Sequence, residues 1–329
     1  MLKPALVLLT AVTLGLAACS SEGGKQEEES NGGGNAGVAD TPRLKIAMIT
    51  HEVAGDTFWD LVRKGAEAAA QKDNIDLDYS NNADGPEQAN LVQNAVDSKV
   101  DGIAVTLAKP DALKDAVAKA TAAGIPVVAL NSGIENWKSM GVLEYFGQDE
   151  RLTGEAVGQR LGSEGAKRVL CVIHEQGNVS LEARCEGVRR GAGGGVTVEN
   201  VNVNSKDMPS VKSTITAKLQ QDKAIDRVVG LGAPIAITAV ESAKDAGSAA
   251  KVVTFDTNKD LVTAIKNGDV QWAVDQQPYL QGYLAIDSLW LYKTNGNIIG
   301  GGQTVLTGPS FVDQSNIDSI AEYANRGTR

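Results

Sequence analysis

The stretch Lys45-Ile-Ala-Met-Ile-Thr-His-Glu-Val-Ala-Gly-Asp-Thr-Phe-Trp59, which runs on through Asp60 to Ala70, decides the fold. Its opening is an apolar run whose length suits a strand buried on both faces. A polar loop with Gly55 and Asp56 follows, and then an Ala-rich segment from Phe58 that is apolar at helical spacing. Strand, loop and helix make half of a βαβ unit. The same order returns at Arg168-Val-Leu-Cys-Val-Ile-His174-Glu175, then Gln-Gly-Asn178, then Ser180-Leu-Glu-Ala-Arg-Cys-Glu-Gly187. Each copy closes its strand on a His-Glu pair and places a Gly about a dozen residues later in the helix. His51 and His174 of these pairs are the 2 histidines of the chain. The repeat predicts two similar α/β lobes with a gap between them.

A chain of 329 residues has room for two such lobes, each with its own core. The net charge of −10 and the lack of any basic stripe argue against nucleic acid as a partner. Residues 1–18 read as an export signal: Lys3, an apolar run from Ala5 to Leu16, then small residues. The run is too short for a spanning helix. It closes on Leu16-Ala17-Ala18-Cys19, which resembles the lipobox of bacterial lipoproteins and marks Cys19 as the lipidated residue; a plain secretory signal is the other reading. Such acylation tethers a domain to a membrane without a spanning segment. Residues 19–42 are nearly devoid of apolar side chains, so they read as an unfolded leash. For Cys171 and Cys185 an oxidising compartment favours a disulfide over two buried thiols. Their spacing fits neither a CxxC redox motif nor a zinc finger.

Apolar runs at 44–50, 75–79, 103–107, 127–130 and 142–146, and again at 168–174, 196–203, 227–231, 251–255 and 270–276, predict two sets of strands. Helical patterns at 57–72, 86–98, 111–123, 152–161, 180–190, 210–221, 235–246 and 261–266 separate most of them. The alternation means doubly wound parallel sheets with helices on both faces. Ligands of such sheets bind beyond the carboxyl ends of the strands, here the loops after Thr50, Leu130, His174, Phe255 and Gln276. A long helix pattern at 279–292 and a short strand at 303–306 follow the second lobe. Gln277-Pro278 and Gly308-Pro309 suit crossings between lobes, because Pro fixes φ and removes a donor.

Several motifs stand in order along the chain: Gly55-Asp-Thr-Phe-Trp59, Asp101-Gly-Ile103, Gly124-Ile-Pro-Val127, Gly147-Gln-Asp-Glu150, Phe255-Asp256 and Gln276-Gln-Pro-Tyr-Leu-Gln-Gly282. With them the sequence resembles the sugar-binding components of bacterial ABC importers, the ribose-, galactose- and autoinducer-2-binding group, over nearly all of 44–317. The resemblance implies two lobes joined by three hinge strands (the periplasmic binding protein type I fold). The N-terminal lobe would hold 43–147 plus 278–306, and the C-terminal lobe 148–277 plus 307–329. It implies a monomer that captures a small neutral sugar or polyol outside the cytoplasm for an ABC permease, anchored by Cys19, with no catalytic residue and no cofactor. A signalling receptor of the same fold is the second reading.

Carried over by position, the family's polar-aromatic loop motif falls on Asp56, Thr57, Phe58 and Trp59. Its first-lobe aspartate appears as Asn131, its second-lobe aspartate as Asp256, and its hinge glutamine as Gln276. The family arginine of the second lobe's first helix aligns with Glu182, and Arg184 lies two residues on; both are candidates. Its asparagine after that lobe's third strand is Gly232. Loss of the arginine and the first aspartate implies a ligand other than ribose.

The side chains suit a polyhydroxylated guest. Carboxylates of Asp56 and Asp256 make charge-assisted bonds to hydroxyls, and Asn131, Gln276 and Arg184 add donors in planar geometry. Phe58 and Trp59 offer flat faces, with one of the two expected in the core. Each residue has a plainer use: Asp56 and Asp256 as helix caps, Arg184 as a solvated helix residue. His51 is expected to donate a hydrogen bond to the ligand. The two His-Glu pairs would bind a metal only if all four side chains faced one cleft, which strand alternation opposes, so no metal site is assigned. No GxSxG elbow occurs, and the Gly runs lack GxGxxG or Walker spacing after a strand.

Overall fold

The computed structural model describes residues 37–329. The expected leader, Cys19 and the linker as far as residue 36 lie outside the described residues. The chain first runs β1 (Leu44–Thr50), α1 (Phe58–Lys72), β2 (Ile75–Asn81), α2 (Gly85–Asp97), β3 (Gly102–Thr106), α3 (Pro110–Ala122), β4 (Val127–Leu130) and β5 (Tyr145–Gly147). It continues with α4 (Glu150–Ser163), β6 (Arg168–Ile173), α5 (Val179–Gly191), β7 (Thr197–Asn202), α6 (Met208–Gln221), β8 (Arg227–Gly230), α7 (Ala233–Asp245), β9 (Lys251–Phe255), α8 (Lys259–Asn267) and β10 (Val270–Asp275). Last come α9 (Pro278–Asn295), β11 (Val305–Leu306), β12 (Ser310–Asp313) and α10 (Asp318–Arg326).

These strands form two six-stranded sheets, ordered β11-β5-β4-β3-β1-β2 and β12-β10-β9-β8-β6-β7. The first is parallel throughout; in the second only β12 is antiparallel, against β10. Burial on both faces explains the continuous apolar runs of the central strands, such as Ile46 to Ile49 and Val169 to Val172. In the first sheet one face packs on α1 and α9 and the other on α2 and α3. In the second sheet α4 and α5 cover one face, α6 and α7 the other. The chain leaves the first sheet after β5, returns through α9, and leaves again after β11. Gln148, Gln276 and Gly308 of the three crossings lie together, since a Cβ on Gly308 would meet Gln148 Oε1 at 2.9 Å and Gln276 Cα at 3.0 Å.

The glycines that recur in the two sequence copies have a packing role. A Cβ on Gly65 would lie 1.9 Å from the backbone oxygen of Tyr279, and one on Gly187 would lie 2.3 Å from that of Arg151. Gly therefore lets α1 close on α9, and α5 on α4, backbone to backbone. Cys171 of β6 and Cys185 of α5 are bridged, with Cα atoms 5.9 Å apart inside the core under that helix pair.

Two elements exceed the expectation from sequence. β12 completes the second sheet at its edge, and α10 places Ile320 and Ala324 on the core of that lobe. Both elements lie beyond the last βα unit of that lobe, outside the alternation that marked the others. β5 begins at Tyr145 rather than residue 142, although Leu143 N–H already donates to Val127 O at 2.8 Å.

Substituting Gly65→Ala should force the α1–α9 pair apart and cost about 1–3 kcal/mol, as overpacking does. Chemical denaturation reads this directly; an unchanged midpoint contradicts the close approach.

Candidate ligand-binding crevice

Loops at the carboxyl ends of β1, β4, β6, β7, β8, β9 and β10 converge between the two sheets. They line a crevice with about 470 Å³ of atom-free space, part of it continuous with solvent. His51, Asp56, Phe58, Trp59 and Asn131 line it from the first lobe. Arg184, Asp256 and Gln276 line it from the second lobe and the hinge, together with His174, Glu175, Asn178 and Gly232.

Asn131 and Asp256 occupy equivalent places after the fourth strand of each lobe. Both have left-handed backbones (φ 64° and 66°), a conformation Asn and Asp tolerate better than other side chains. The turn swings each side chain off its strand toward the gap. Gln276, fully buried, joins them: its Nε2 donates to Asp256 Oδ1 at 2.6 Å, and its Oε1 accepts from Asn131 Nδ2 at 3.4 Å. Gln281 Nε2 also donates to that Oε1 at 2.9 Å and fixes the amide's orientation. One unbroken chain of polar groups thus links the two sheets through the hinge.

Arg184 is buried, and Glu150 at the start of α4 clamps it through Nε–Oε2 (2.6 Å) and Nη2–Oε1 (2.8 Å). Its Nη1 donates to Leu231 O at 3.1 Å, and its guanidinium lies over the Phe255 ring at 4.7 Å. Burial opposes the charge, but the Glu150 carboxylate more than offsets it and keeps Arg184 protonated. Removing one partner of such a pair typically costs about 3–5 kcal/mol. The close approach at Gly187 brings α5 near enough to α4 for this clamp.

The lobes also touch at the crevice mouth. Val179 N–H donates to Ala108 O at 3.1 Å, Lys109 Nζ reaches Glu175 Oε1 at 3.2 Å, and Asn258 Nδ2 donates to Thr57 Oγ1 at 3.0 Å. His51 holds Thr106 Oγ1 through Nδ1 (2.7 Å) and meets Asn178 Nδ2 through Nε2 (3.2 Å). Burial lowers the His51 pKa, with the Glu175 charge pulling the other way, and pushes His174 down to about 4. Both rings are neutral at pH 7.

Phe58 and Trp59 are both buried, pack edge to face at 5.1 Å, and both line the crevice, so neither is spared for the core alone. Trp59 also meets the His51 ring at 4.8 Å. Asp56 Oδ1 accepts from Phe58 N–H at 3.1 Å, so the helix-start role and the crevice position coincide. Burial raises Asp56 to about 6 and Asp256 to about 7; for Asp256 the Arg184 charge and the Gln276 bond pull down, while Asp56 and Glu150 push up.

Of the nine ligand candidates, the structure brings eight to the crevice and leaves Glu182 out. Glu182 is exposed and accepts from Gly177 N–H at 3.2 Å. Residues two apart on a helix point in nearly opposite directions, so Arg184 faces in and Glu182 faces out. Sequence reasoning missed Glu150, Asn178 and Ser180. Glu150 lay within the quoted Gly147-Gln-Asp-Glu150 motif, and Asn178 could have been found as a helix cap, since it accepts from Ser180 N–H at 3.0 Å. Glu52 turns away to Arg63 (2.9 Å) and Tyr79 (2.8 Å). Among the described residues, no group of three or more His, Cys, Asp or Glu side chains is placed to hold a metal ion.

With this geometry in place, comparison with known proteins gives the class. The profile of the periplasmic binding protein domain matches residues 46–297, and the chain belongs to that family. A solved carbohydrate transporter from Acidothermus cellulolyticus 11B, in complex with myo-inositol, is 57% identical and superposes with a TM-score of 0.86; the match covers 88% of this chain and 100% of that one. An ABC transporter solute-binding protein from Agrobacterium vitis with bound D-fucose is 27% identical, with a TM-score of 0.75 over 85% of this chain and 99% of that one. The ribose import binding protein RbsB of Bacillus subtilis is 28% identical over 301 residues, covering 88% of this chain and 92% of that protein.

The raised Asp256 pKa has a thermodynamic consequence. Between 3.8 and about 7 the unfolded chain has lost this proton while the folded chain keeps it, so the group costs stability progressively as pH rises. The melting temperature of Asp256→Asn relative to the parent should therefore climb from pH 4 to pH 8 without ligand. A constant difference contradicts the burial of this carboxyl.

Proposed function

We propose that the protein is the extracytoplasmic binding component of an ABC importer, capturing a small neutral sugar or polyol between its lobes and presenting it to the permease. The observation that carries this reading is the convergence of Asn131, Gln276 and Asp256 from both lobes and the hinge on one crevice with two aromatic walls. Closure surrounds the solute and excludes water, which strengthens every hydrogen bond made inside. Phe58 and Trp59 cover the apolar C–H faces of a ring, while Asp56, Asp256 and Asn131 receive and donate to its hydroxyls. The relative that holds myo-inositol, with more than half its residues identical, favours a cyclic polyol as the guest.

The crevice residues bind and orient; the reading assigns them no bond-breaking step. Cys19, lipidated after removal of residues 1–18, would tether the domain to the outer face of a membrane through residues 20–42, with the protein acting as a monomer.

Titration calorimetry against myo-inositol, pentoses, hexoses and tetritols tests the reading. A cyclic polyol should bind best, and Gln276→Ala should weaken it by about 1–3 kcal/mol, because it strips the partners from Asn131 and Asp256 in a dry site. Failure of every sugar and polyol to bind, or full affinity in the variant, contradicts the proposal.

A further inference from the structure

The charges around the crevice cancel in pairs, with two exceptions. Glu150 clamps Arg184 through two contacts, Glu175 meets Lys109 at 3.2 Å, and Glu52 meets Arg63 at 2.9 Å. His51 and His174 are neutral at pH 7. Asp56 and Asp256, both ionised by pH 8, are left over, facing the same crevice from opposite lobes. Each spends one oxygen inside the protein, Asp56 Oδ1 on Phe58 N–H and Asp256 Oδ1 on the Gln276 amide. Among the described residues the nearest cation to Asp256 Oδ2 is Arg184 Nη1 at 3.9 Å, beyond hydrogen-bond reach, and that guanidinium already carries Glu150. Each carboxylate therefore keeps one oxygen for the guest.

We infer that the crevice sorts cyclic polyols by charge, accepting amino-substituted, cationic cyclitols more readily than neutral ones and turning away phosphorylated or carboxylated ones. The inference rests on the cyclic-polyol reading above and narrows it. An ammonium placed where a hydroxyl would sit supplies the counter-charge that Asp56 and Asp256 lack. It turns hydrogen bonds in which only the carboxylate is charged into ion-paired ones and relieves the burial of two like charges. A phosphate or carboxylate brings a further negative charge into a dry space whose lining offers no cation free of a carboxylate partner.

Scyllo-inositol and 1-amino-1-deoxy-scyllo-inositol form a matched pair, because six equivalent ring positions leave only one amino isomer. Calorimetry at pH 8 should show the amine binding about tenfold tighter than the neutral ring, the gain of about 1.4 kcal/mol from adding a positive charge to the donor. It should show no measurable binding of myo-inositol 1-phosphate. An amine that binds equally or more weakly than scyllo-inositol, or a phosphate that binds, overturns the inference. Myo-inositol, run beside them, separates the two levels: its binding without an amine preference sinks charge sorting alone, whereas no binding by any of the four probes sinks the cyclic-polyol reading as well. In the double variant Asp56→Asn, Asp256→Asn the amine's advantage should vanish, and its persistence overturns the role given to these two carboxylates.

Discussion

The buried amide of Gln276, held between Asn131 of one sheet and Asp256 of the other, is the contact on which the site depends. It sits where the chain passes from β10 into α9, so the crossing and the crevice floor are the same residues. An amide suits this place because it offers a donor to the carboxylate and an acceptor to the Asn at once. A hydrocarbon side chain there would leave two buried polar partners unsatisfied. The orientation of the amide is fixed from outside the crevice by Gln281, whose Nε2 also reaches Thr307 Oγ1 in the third crossing. The hinge and the crevice thus share one polar network, so movement of one lobe is felt at the groups that line its floor.

Around this floor, backbone contacts bring the walls into range. The glycines of α1 and α9, and of α4 and α5, let each helix pair approach without side chains between them. One consequence is mechanical, the compact flank of each lobe. The other is chemical: α4 presents Glu150 to Arg184 and to Gln148 Nε2 (2.8 Å) of the first crossing. A buried cation is tolerable only when its charge is met, and here Glu150 of α4 and the Leu231 carbonyl meet it. The contacts at the mouth, Lys109 with Glu175 and Val179 with Ala108, join the lobes at the far side of the crevice. The crevice is therefore bounded by the hinge behind and by direct lobe-to-lobe contacts in front.

Much of this was legible in the sequence, for physical reasons. β1, β4 and β9 lie where their apolar runs fall, because strands buried on two faces leave no polar interruption to blur their ends. The repeated Gly after each His-Glu pair was visible as a pattern, but its cause, a helix packed at backbone distance, needed the partner helix from far along the chain. Asp56, Asn131, Asp256 and Gln276 could be expected at the crevice because they stand at or just beyond strand ends, which in such sheets face the gap. Glu182 and Arg184 could not be separated by alignment alone; helical geometry chose between them. Glu150, Asn178 and Ser180 escaped notice because a carboxylate, a cap and a small hydroxyl at helix starts have ordinary structural uses. β12 and α10 escaped because they follow the last βα unit of the second lobe, where the alternation that marked the other strands and helices has ended.

The central claim is that both halves of the molecule, and the hinge between them, hold one solute together. A crystal structure with myo-inositol bound tests it most directly. The account predicts hydroxyl oxygens within hydrogen-bond distance of Asp56, Asn131, Asp256 and Gln276 at the same time, with the ring against Phe58 or Trp59. A polyol resting on one lobe alone, or seated outside this crevice, would contradict it.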